Sequence, residues 1–306
     1  MSWSAIWSAV KGCLRKAWKF LCRLFRKKSM ENKTYRLGYH LTVFLDVQGQ
    51  REKFKGLRLP KTPDEHAAVQ EVLKDTAGFV VGLRDAFRRN FEAFEAGISR
   101  KKGEHLQPRF VGFSDSFVVS VPLTPVNGDM TPLVRIFSAL SSASTIMMTA
   151  FASKHAVRGG IEVGLGVEIG PEEIYGTALG DAYELESKRA KYPRVLIGKT
   201  FWDYLGAARK EFSGRKSDAL CAMIQKITDF TAVEDGERYL DYLGEVMSQL
   251  AMPGEAKIMV QPGYDFIVSE HEKFVAAKNE KLADRYGKLR GYYESRLALW
   301  GLSKKR

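Results

Sequence analysis

Residues 136–153, IFSALSSASTIMMTAFAS, form a run of 18 residues without a charged side chain. A run of this length is either a membrane span or a helix buried in a protein core. Five serines and two threonines interrupt it, and Arg135 and Lys154 close it at its two ends. These features favour a buried helix that packs on a sheet or at a subunit contact.

Strand-like segments lie on both sides of this run. The first, YHLTVFLDVQG (39–49), is apolar from Leu41 to Leu45, ends at Asp46 and turns at Gly49. The second, RFVGFSDSFVVSVPL (109–123), is typical of a hairpin whose turn carries the single acid Asp115. The third, VRGGIEVGLGVEIG (157–170), alternates apolar residues with glycine, and PRVLIG (193–198) is a fourth short strand.

Helical patterns separate these strands. The segment from Thr62 to Phe94 begins with a capping box of Thr62 and Glu65 around Pro63, and it predicts a long helix broken near Gly78. Residues 176–192 are also helical in pattern. The resulting order predicts an α+β fold with an antiparallel sheet under flanking helices, of the ferredoxin-like or polymerase-palm type. In such a sheet the end of the first strand lies beside the tip of the next hairpin.

This arrangement would place Asp46 and Asp115 opposite one another. Two neighbouring carboxylates repel each other, and burial raises the cost further, so a divalent cation is the simplest way to keep both ionised. Oxygen ligands select Mg²⁺ or Mn²⁺, whose remaining coordination positions are usually filled by phosphate oxygens and water. Two such ions are suited to a phosphoryl displacement. The sequence therefore predicts nucleotide chemistry at this point.

Charge and cysteine content limit the other function classes. The net charge is +12, but eight of the excess positive charges lie in residues 1–28, which contain no acid. The rest of the chain is only mildly basic, which argues against nucleic acid as a partner. Three cysteines without metal-ligand or disulfide spacing indicate a reducing compartment, and we expect a cytoplasmic protein.

Both ends of the chain have amphipathic patterns. In residues 1–29 tryptophans and aliphatic residues recur at three- and four-residue steps opposite a basic face, which predicts a helix. This helix could lie on the inner face of a membrane or dock on the body or on a second subunit, and Met30 could itself begin a complete domain. Residues 266–306 predict a charged C-terminal helix packed on the body or on a dimer partner. The main domain is expected over 35–265.

Four motifs in this order resemble the class III nucleotidyl cyclase homology domain: FLDVQG, FSDSFVVSVP, RGGIEVGLG and IYGTALGDAYELESKRAKYPRVLIG. The last of them is most similar to the bacterial antiphage branch, the Pycsar pyrimidine cyclases. The resemblance covers residues 39–200. It implies a homodimer with active sites at the subunit interface, and conversion of UTP, or less favourably CTP, to a 3′,5′-cyclic monophosphate that acts as an antiviral second messenger. An adenylate or guanylate cyclase and a catalytically silent nucleotide sensor are the alternatives.

The resemblance also implies roles for individual residues. Asp46 and Asp115 would hold two Mg²⁺ or Mn²⁺ ions together with the backbone carbonyl of Val47, and Gln48 and Gly49 would lie near the triphosphate. Purine cyclases carry an Asn and an Arg in the helix that begins after the Tyr175-Gly176 step, where this chain has Gly180 and Glu184. The acid with which purine cyclases read the base matches Glu173. The charge of that missing arginine would then have to come from another cation, for which the nearest candidates are Lys188, Arg189 and Arg194.

Overall fold

A computed structural model of the chain describes residues 37–98, 107–123, 131–170, 173–213 and 218–304. The basic amphipathic helix predicted over 1–29, with its membrane contact, lies outside these residues. The described strands are β1 (Leu37–Val47), β2 (Arg109–Phe113), β3 (Ser116–Pro122), β4 (Val157–Gly170), β5 (Glu173–Gly176), β6 (Val195–Ile197), β7 (Thr231–Glu234) and β8 (Glu237–Leu240). The described α-helices are α1 (Gln50–Phe54), α2 (Pro63–Leu73), α3 (Phe79–Ile98), α4 (Thr131–Ala152), α5 (Thr177–Glu184), α6 (Lys199–Ser213), α7 (Asp218–Asp229), α8 (Glu245–Leu250), α9 (Gln261–Ala276) and α10 (Glu280–Arg296).

The strands form one 8-stranded sheet in the order β2-β3-β1-β4-β6-β8-β7, and β5 pairs with β4 off this path. β1 is antiparallel to both β3 and β4, and β2 is antiparallel to β3, whereas β4 and β6 run parallel. Strands β1 to β4 with their intervening helices have the order 2-3-1-4, which is the ferredoxin-like topology. The predicted α+β fold, with an antiparallel sheet and flanking helices, is therefore confirmed.

Helices α3 and α4 cover one face of the sheet. Phe87 and Phe91 of α3, and Leu140, Met147 and Phe151 of α4, are fully buried against the odd-numbered side chains of β1. In the described part of the chain, α4 is the one helix that is long and apolar enough to cross a membrane. In its apolar stretch, 89% is buried inside the protein. The charge-free run is thus a core helix, as its serines and threonines predicted.

The helix predicted from Thr62 onward has the expected start and the expected interruption. Thr62 accepts a hydrogen bond from the backbone of Glu65, and the Glu65 side chain accepts one from Thr62, which completes the capping box. A π-helical turn at Lys74–Gly78 then separates α2 from α3. Such a turn re-aims the helix. The apolar stripe of α3 therefore faces the sheet while α2 is largely exposed.

Helix α5 covers part of the opposite face, where β4 has glycine instead of side chains. A Cβ added to Gly160 would lie 2.2 Å from the carbonyl oxygen of Ala182, and one added to Gly164 would lie 2.8 Å from Oγ1 of Thr177. Glycine in a strand commonly marks such a close approach. The glycines of β4 therefore allow α5, and the π-helical turn Leu185–Arg189 after it, to lie directly on the sheet.

The C-terminal segment differs from the single helix predicted over 266–306. It forms a hairpin of α9 and α10, and the chain reverses at Lys278, which has a φ of 52°. The side chain of Asn279 then accepts a hydrogen bond from Leu282 N at 3.2 Å and caps α10. The apolar spacing continues across this break, so periodicity alone does not reveal it.

Candidate functional site

Asp46 and Asp115 meet at one end of the central strand. Asp46 stands opposite Ser116 of β3 on one side and Arg158 of β4 on the other. Asp115 occupies the β2–β3 turn, and its carbonyl oxygen accepts a hydrogen bond from Val47 N at 2.9 Å. This bond fastens the end of β1 to the hairpin tip. The structure therefore brings together the two aspartates that the strand order predicted to be neighbours.

The carboxylate of Asp46 is half-buried and accepts two side-chain hydrogen bonds. Ser116 donates a hydrogen bond to Oδ1 at 2.7 Å, and the amide of Gln48 donates to Oδ2. Burial raises the pKa of Asp46, and the negative charge of Asp115 raises it further, against the lowering effects of the Ser116 hydrogen bond and the charge of Arg158. A carboxylate whose pKa is raised in this way favours a bound cation.

The donor set fits a divalent ion that shares its coordination with a substrate. In the described ranges no group of three or more His, Cys, Asp or Glu side chains could hold a metal by itself. Two carboxylates and the carbonyl of Val47 would leave several positions for phosphate oxygens and water, which is how Mg²⁺ is usually bound. Asp46, Asp115 and Val47 are therefore the residues of this chain that would hold such ions.

Arg158 and Glu186 belong to this site although the sequence analysis assigned neither of them a role. Arg158 Nε donates to Glu186 at 2.6 Å, and its terminal nitrogen lies 2.5 Å from the same carboxylate. Burial raises the pKa of Glu186, Arg158 lowers it, and the charges of Asp46 and Asp115 raise it again. The strand period alone does not identify Arg158, because directly paired residues share a face only once the register of β1 and β4 is known.

The chain after β1 leads into a cavity. Gln48 N donates to the carbonyl of Ala156 at 2.8 Å, which holds the connection against the start of β4. Gly49 follows with a φ of 83°, a conformation that costs a non-glycine residue about 1 kcal/mol or more. Gln48, Gly49 and Arg158 all line a cavity of about 530 Å³. Neither aspartate lines this cavity; it is connected to Asp46 through Gln48, which donates to the Asp46 carboxylate, and through the charge of Arg158, whereas Asp115 lines a separate cavity.

The remaining predicted residues are placed as follows. Glu173 is exposed at the start of β5, and Gly180 is exposed on α5 with open space where a Cβ would be. Glu184 pairs with Lys188 at 3.3 Å. Arg189 donates to Glu237 at 3.0 Å, and the buried Arg194 pairs with Glu234 at 3.0 Å. Each of the three candidate cations Lys188, Arg189 and Arg194 therefore has a glutamate partner outside the aspartate pair.

An aromatic patch lies on the same sheet face as Asp46. The buried ring of Phe44 contacts Phe113 at a centroid distance of 5.7 Å and Tyr183 at 5.4 Å. Phe113 and Tyr183 are 49% and 52% exposed. Large rings left half-exposed beside a functional site are typical of a surface that another chain covers.

No protein-family model matches the sequence, and a comparison with curated proteins found no match. Solved structures with a similar fold include the monomeric guanylyl cyclase domain of the RhoGC fusion protein from the aquatic fungus Blastocladiella emersonii, at 14% identity and a TM-score of 0.42, which covers 68% of this chain and 96% of that one. The adenylyl cyclase CyaB from P. aeruginosa aligns at 14% identity and a TM-score of 0.38, over 68% of this chain and 95% of that one. Similarities of this size carry no information about substrate.

Proposed function

We propose that the chain is a nucleotidyl cyclase that converts a pyrimidine nucleoside triphosphate, UTP in preference to CTP, to the 3′,5′-cyclic monophosphate and pyrophosphate. The observation that carries this proposal is the meeting of Asp46 and Asp115 at the end of β1, where Gln48 and Arg158, which act on the Asp46 carboxylate, line a cavity together with further basic residues. The four sequence motifs that resemble class III cyclases lie on the elements that build this site. A role as second-messenger synthase in antiphage defence rests on the resemblance to the Pycsar branch.

In the proposed reaction the 3′-oxygen of the ribose attacks the α-phosphorus. The bond from that phosphorus to the bridging oxygen of the β-phosphate breaks, pyrophosphate leaves with the electron pair, and the hydroxyl proton passes to water. Divalent ions at the aspartates would lower the pKa of the hydroxyl and stabilise the charge on the leaving oxygen. Ser116 and Gln48 orient the Asp46 carboxylate, and Glu186 orients the guanidinium of Arg158 toward the phosphates.

The pyrimidine preference is supported by what α5 lacks. Purine cyclases of the class place Asn and Arg where this chain has Gly180 and Glu184. Gly180 offers no side chain to a ribose, and Glu184 is engaged with Lys188. The positive charge near the transition state must therefore come from other residues, and Arg158, whose charge acts on Asp46, is our candidate.

A four-nucleotide assay tests the proposed function. Purified full-length protein is incubated with ATP, GTP, CTP or UTP and Mn²⁺, and products are identified by mass spectrometry together with released pyrophosphate. We expect cyclic UMP as the main product with one pyrophosphate per turnover, and no product when EDTA is present. Cyclic AMP or cyclic GMP alone would refute the pyrimidine assignment. Triphosphate binding without pyrophosphate release would instead identify a silent sensor.

We also propose that the aromatic patch of Phe113 and Tyr183 is the contact between two copies of the chain, with the active sites at this interface. Tyr183→Asp is expected to raise the dimer dissociation constant by more than about thirtyfold, as for loss of a central aromatic contact. Sedimentation velocity over a concentration series measures this. Leu250→Asp changes an apolar residue with 42% exposure on α8 and should leave association unchanged. A dimer that survives both Phe113→Asp and Tyr183→Asp would contradict this interface.

A further inference from the structure

The cavity beside Gln48 and Gly49 has a second wall, which the C-terminal helical hairpin supplies. Phe266, Glu270 and Lys273 line it from α9 at positions i, i+4 and i+7. On α10, Leu282, Arg285 and Tyr286 line it at positions i, i+3 and i+4. Residues at these spacings share one helix face, so both helices present a continuous surface to the cavity. The space is about 530 Å³, which lies in the usual range for ligand pockets.

The hairpin is held firmly enough for this wall to be preformed. The buried Asp241 accepts a hydrogen bond from Tyr292 at 2.9 Å and pairs with Arg296 at 2.9 Å. Trp300 Nε1 donates to the carbonyl of Leu243 at 3.0 Å. These bonds join the end of α10 and the turn after it to the segment that follows β8. A binding site on such a support needs little ordering when its ligand arrives.

The charge around the cavity is strongly positive. Six basic residues line it against two acids, Glu52 and Glu270; the basic residues are Lys53, Lys154, Arg158, Lys191, Lys273 and Arg285. Three of the six have carboxylate partners at 3.0 Å or less, in Asp75, Glu186 and Glu270. Among the residues that the structure describes, Lys154, Lys191 and Arg285 have no ion-pair partner. Unpaired cations around a concave space attract an anion of several charges.

We propose that the C-terminal hairpin binds the terminal phosphates of the nucleotide substrate, and afterwards the pyrophosphate, through Arg285 and Lys273. Arg285 is half-buried and has no ion-pair partner among the residues that the structure describes, and the planar arrangement of donors in its guanidinium matches phosphate oxygens. Lys273 lies on the neighbouring helix α9 and forms an ion pair with Glu270 at 3.0 Å. The identity of the ligand as a nucleotide rests on the proposed function, whereas the anion site does not.

The remaining side chains of the hairpin suit this ligand. Burial raises the pKa of Tyr286 to about 12, with a further contribution from Glu270, so its hydroxyl keeps the proton and can donate it in a hydrogen bond. Phe266 and Phe274 form the apolar part of the wall, and their rings contact Tyr286 at centroid distances of 6.3 and 5.3 Å. An apolar surround strengthens hydrogen bonds and charge interactions inside the site.

The deciding measurement uses inorganic tripolyphosphate, which carries the phosphates without a nucleoside. Isothermal titration of the full-length protein with tripolyphosphate is compared with the same titration of Arg285→Ala, of Lys273→Ala and of the double variant. Each single variant is expected to bind about tenfold more weakly, as for one lost charge-assisted hydrogen bond. Arg285→Lys should recover part of the affinity. Lys281→Ala is the matched control, since Lys281 is an exposed cation on α10 that does not line the cavity.

Kinetics with the nucleoside triphosphate that the protein cyclises provide a second readout. Arg285→Ala is expected to raise KM for the triphosphate by about the same factor as it weakens tripolyphosphate binding. Unchanged tripolyphosphate affinity in the folded double variant would overturn the inference, and so would an equal loss in Lys281→Ala. If no nucleotide is cyclised but tripolyphosphate binding depends on Arg285, the anion site stands and the proposed function fails. If cyclisation proceeds and the double variant binds tripolyphosphate normally, the proposed function stands and the anion site fails.

Discussion

Asp46→Asn and Asp115→Asn are each expected to lower turnover by about a thousandfold or more, because removal of one carboxylate forfeits several kcal/mol of charge stabilisation by the bound ions. The two substitutions keep the size of the side chain. Unlike its turnover, the stability of Asp46→Asn is not expected to fall. Burial raises the pKa of Asp46, so a neutral amide at this position removes a charge that the folded state disfavours. The inactive variant should therefore be at least as stable as the parent protein.

Turnover and the free energy of unfolding in urea test this prediction together. Asp64→Asn, the same chemical change in the exposed first turn of α2, should alter neither quantity. The stability difference between Asp46→Asn and the parent should also depend on pH. A folded-state pKa above the unfolded value means that the parent gains stability as the pH falls through it, so the difference should shrink toward pH 4. Normal turnover in either asparagine variant would remove the assigned metal site.

Arg158→Met is expected to reduce both stability and turnover. Glu186 is 3% exposed, and without Arg158 its carboxylate would remain buried near the charges of Asp46 and Asp115. Breaking a buried pair in this way costs about 3–5 kcal/mol. The double variant with Glu186→Gln removes the unpaired charge, so its unfolding free energy should return to within about 1 kcal/mol of the parent value. Its turnover should stay low, since the cation that faces the phosphates is still missing.

The two measurements separate a structural arginine from one that acts on the substrate. Arg194→Met is the control, because Arg194 is even more buried than Arg158, at 3% against 21% side-chain exposure, and also pairs with a glutamate, Glu234. It should lower stability without changing KM for the folded fraction. If the double variant recovers turnover together with stability, Arg158 serves only to balance Glu186, and its proposed contact with phosphate is wrong.

The aspartate pair could be predicted because its causes are local. The apolar run of β1 ends at Asp46, the turn of the hairpin centres on Asp115, and the order of strands and helices brings these two points together. The contact between Arg158 and Glu186 could not be predicted in this way. It depends on the pairing register of β4 and on the π-helical turn that directs Glu186 onto the sheet.

Two other features also lay beyond sequence reasoning. Arg194 finds its partner Glu234 in a hairpin 40 residues further on, so its position in a basic cluster of the sequence was a poor guide to its environment. The reversal at Lys278 is produced by a single left-handed residue within a segment of continuous helical spacing. The second wall of the cavity exists only because of that reversal. A site formed by residues that are distant in the sequence leaves little trace in local sequence patterns.

The pairing of β1 with neighbours on both sides limits how this protein can vary. The strand is in register with β3 from His40 to Asp46 and with β4 from Leu37 to Val47. Because side chains alternate between faces, deletion of one residue in this strand would turn Asp46 into the apolar core and bring a core residue to the site. Single substitutions in β1 therefore leave the placement of Asp46 intact, whereas a change in the length of the strand would remove the proposed site in one step.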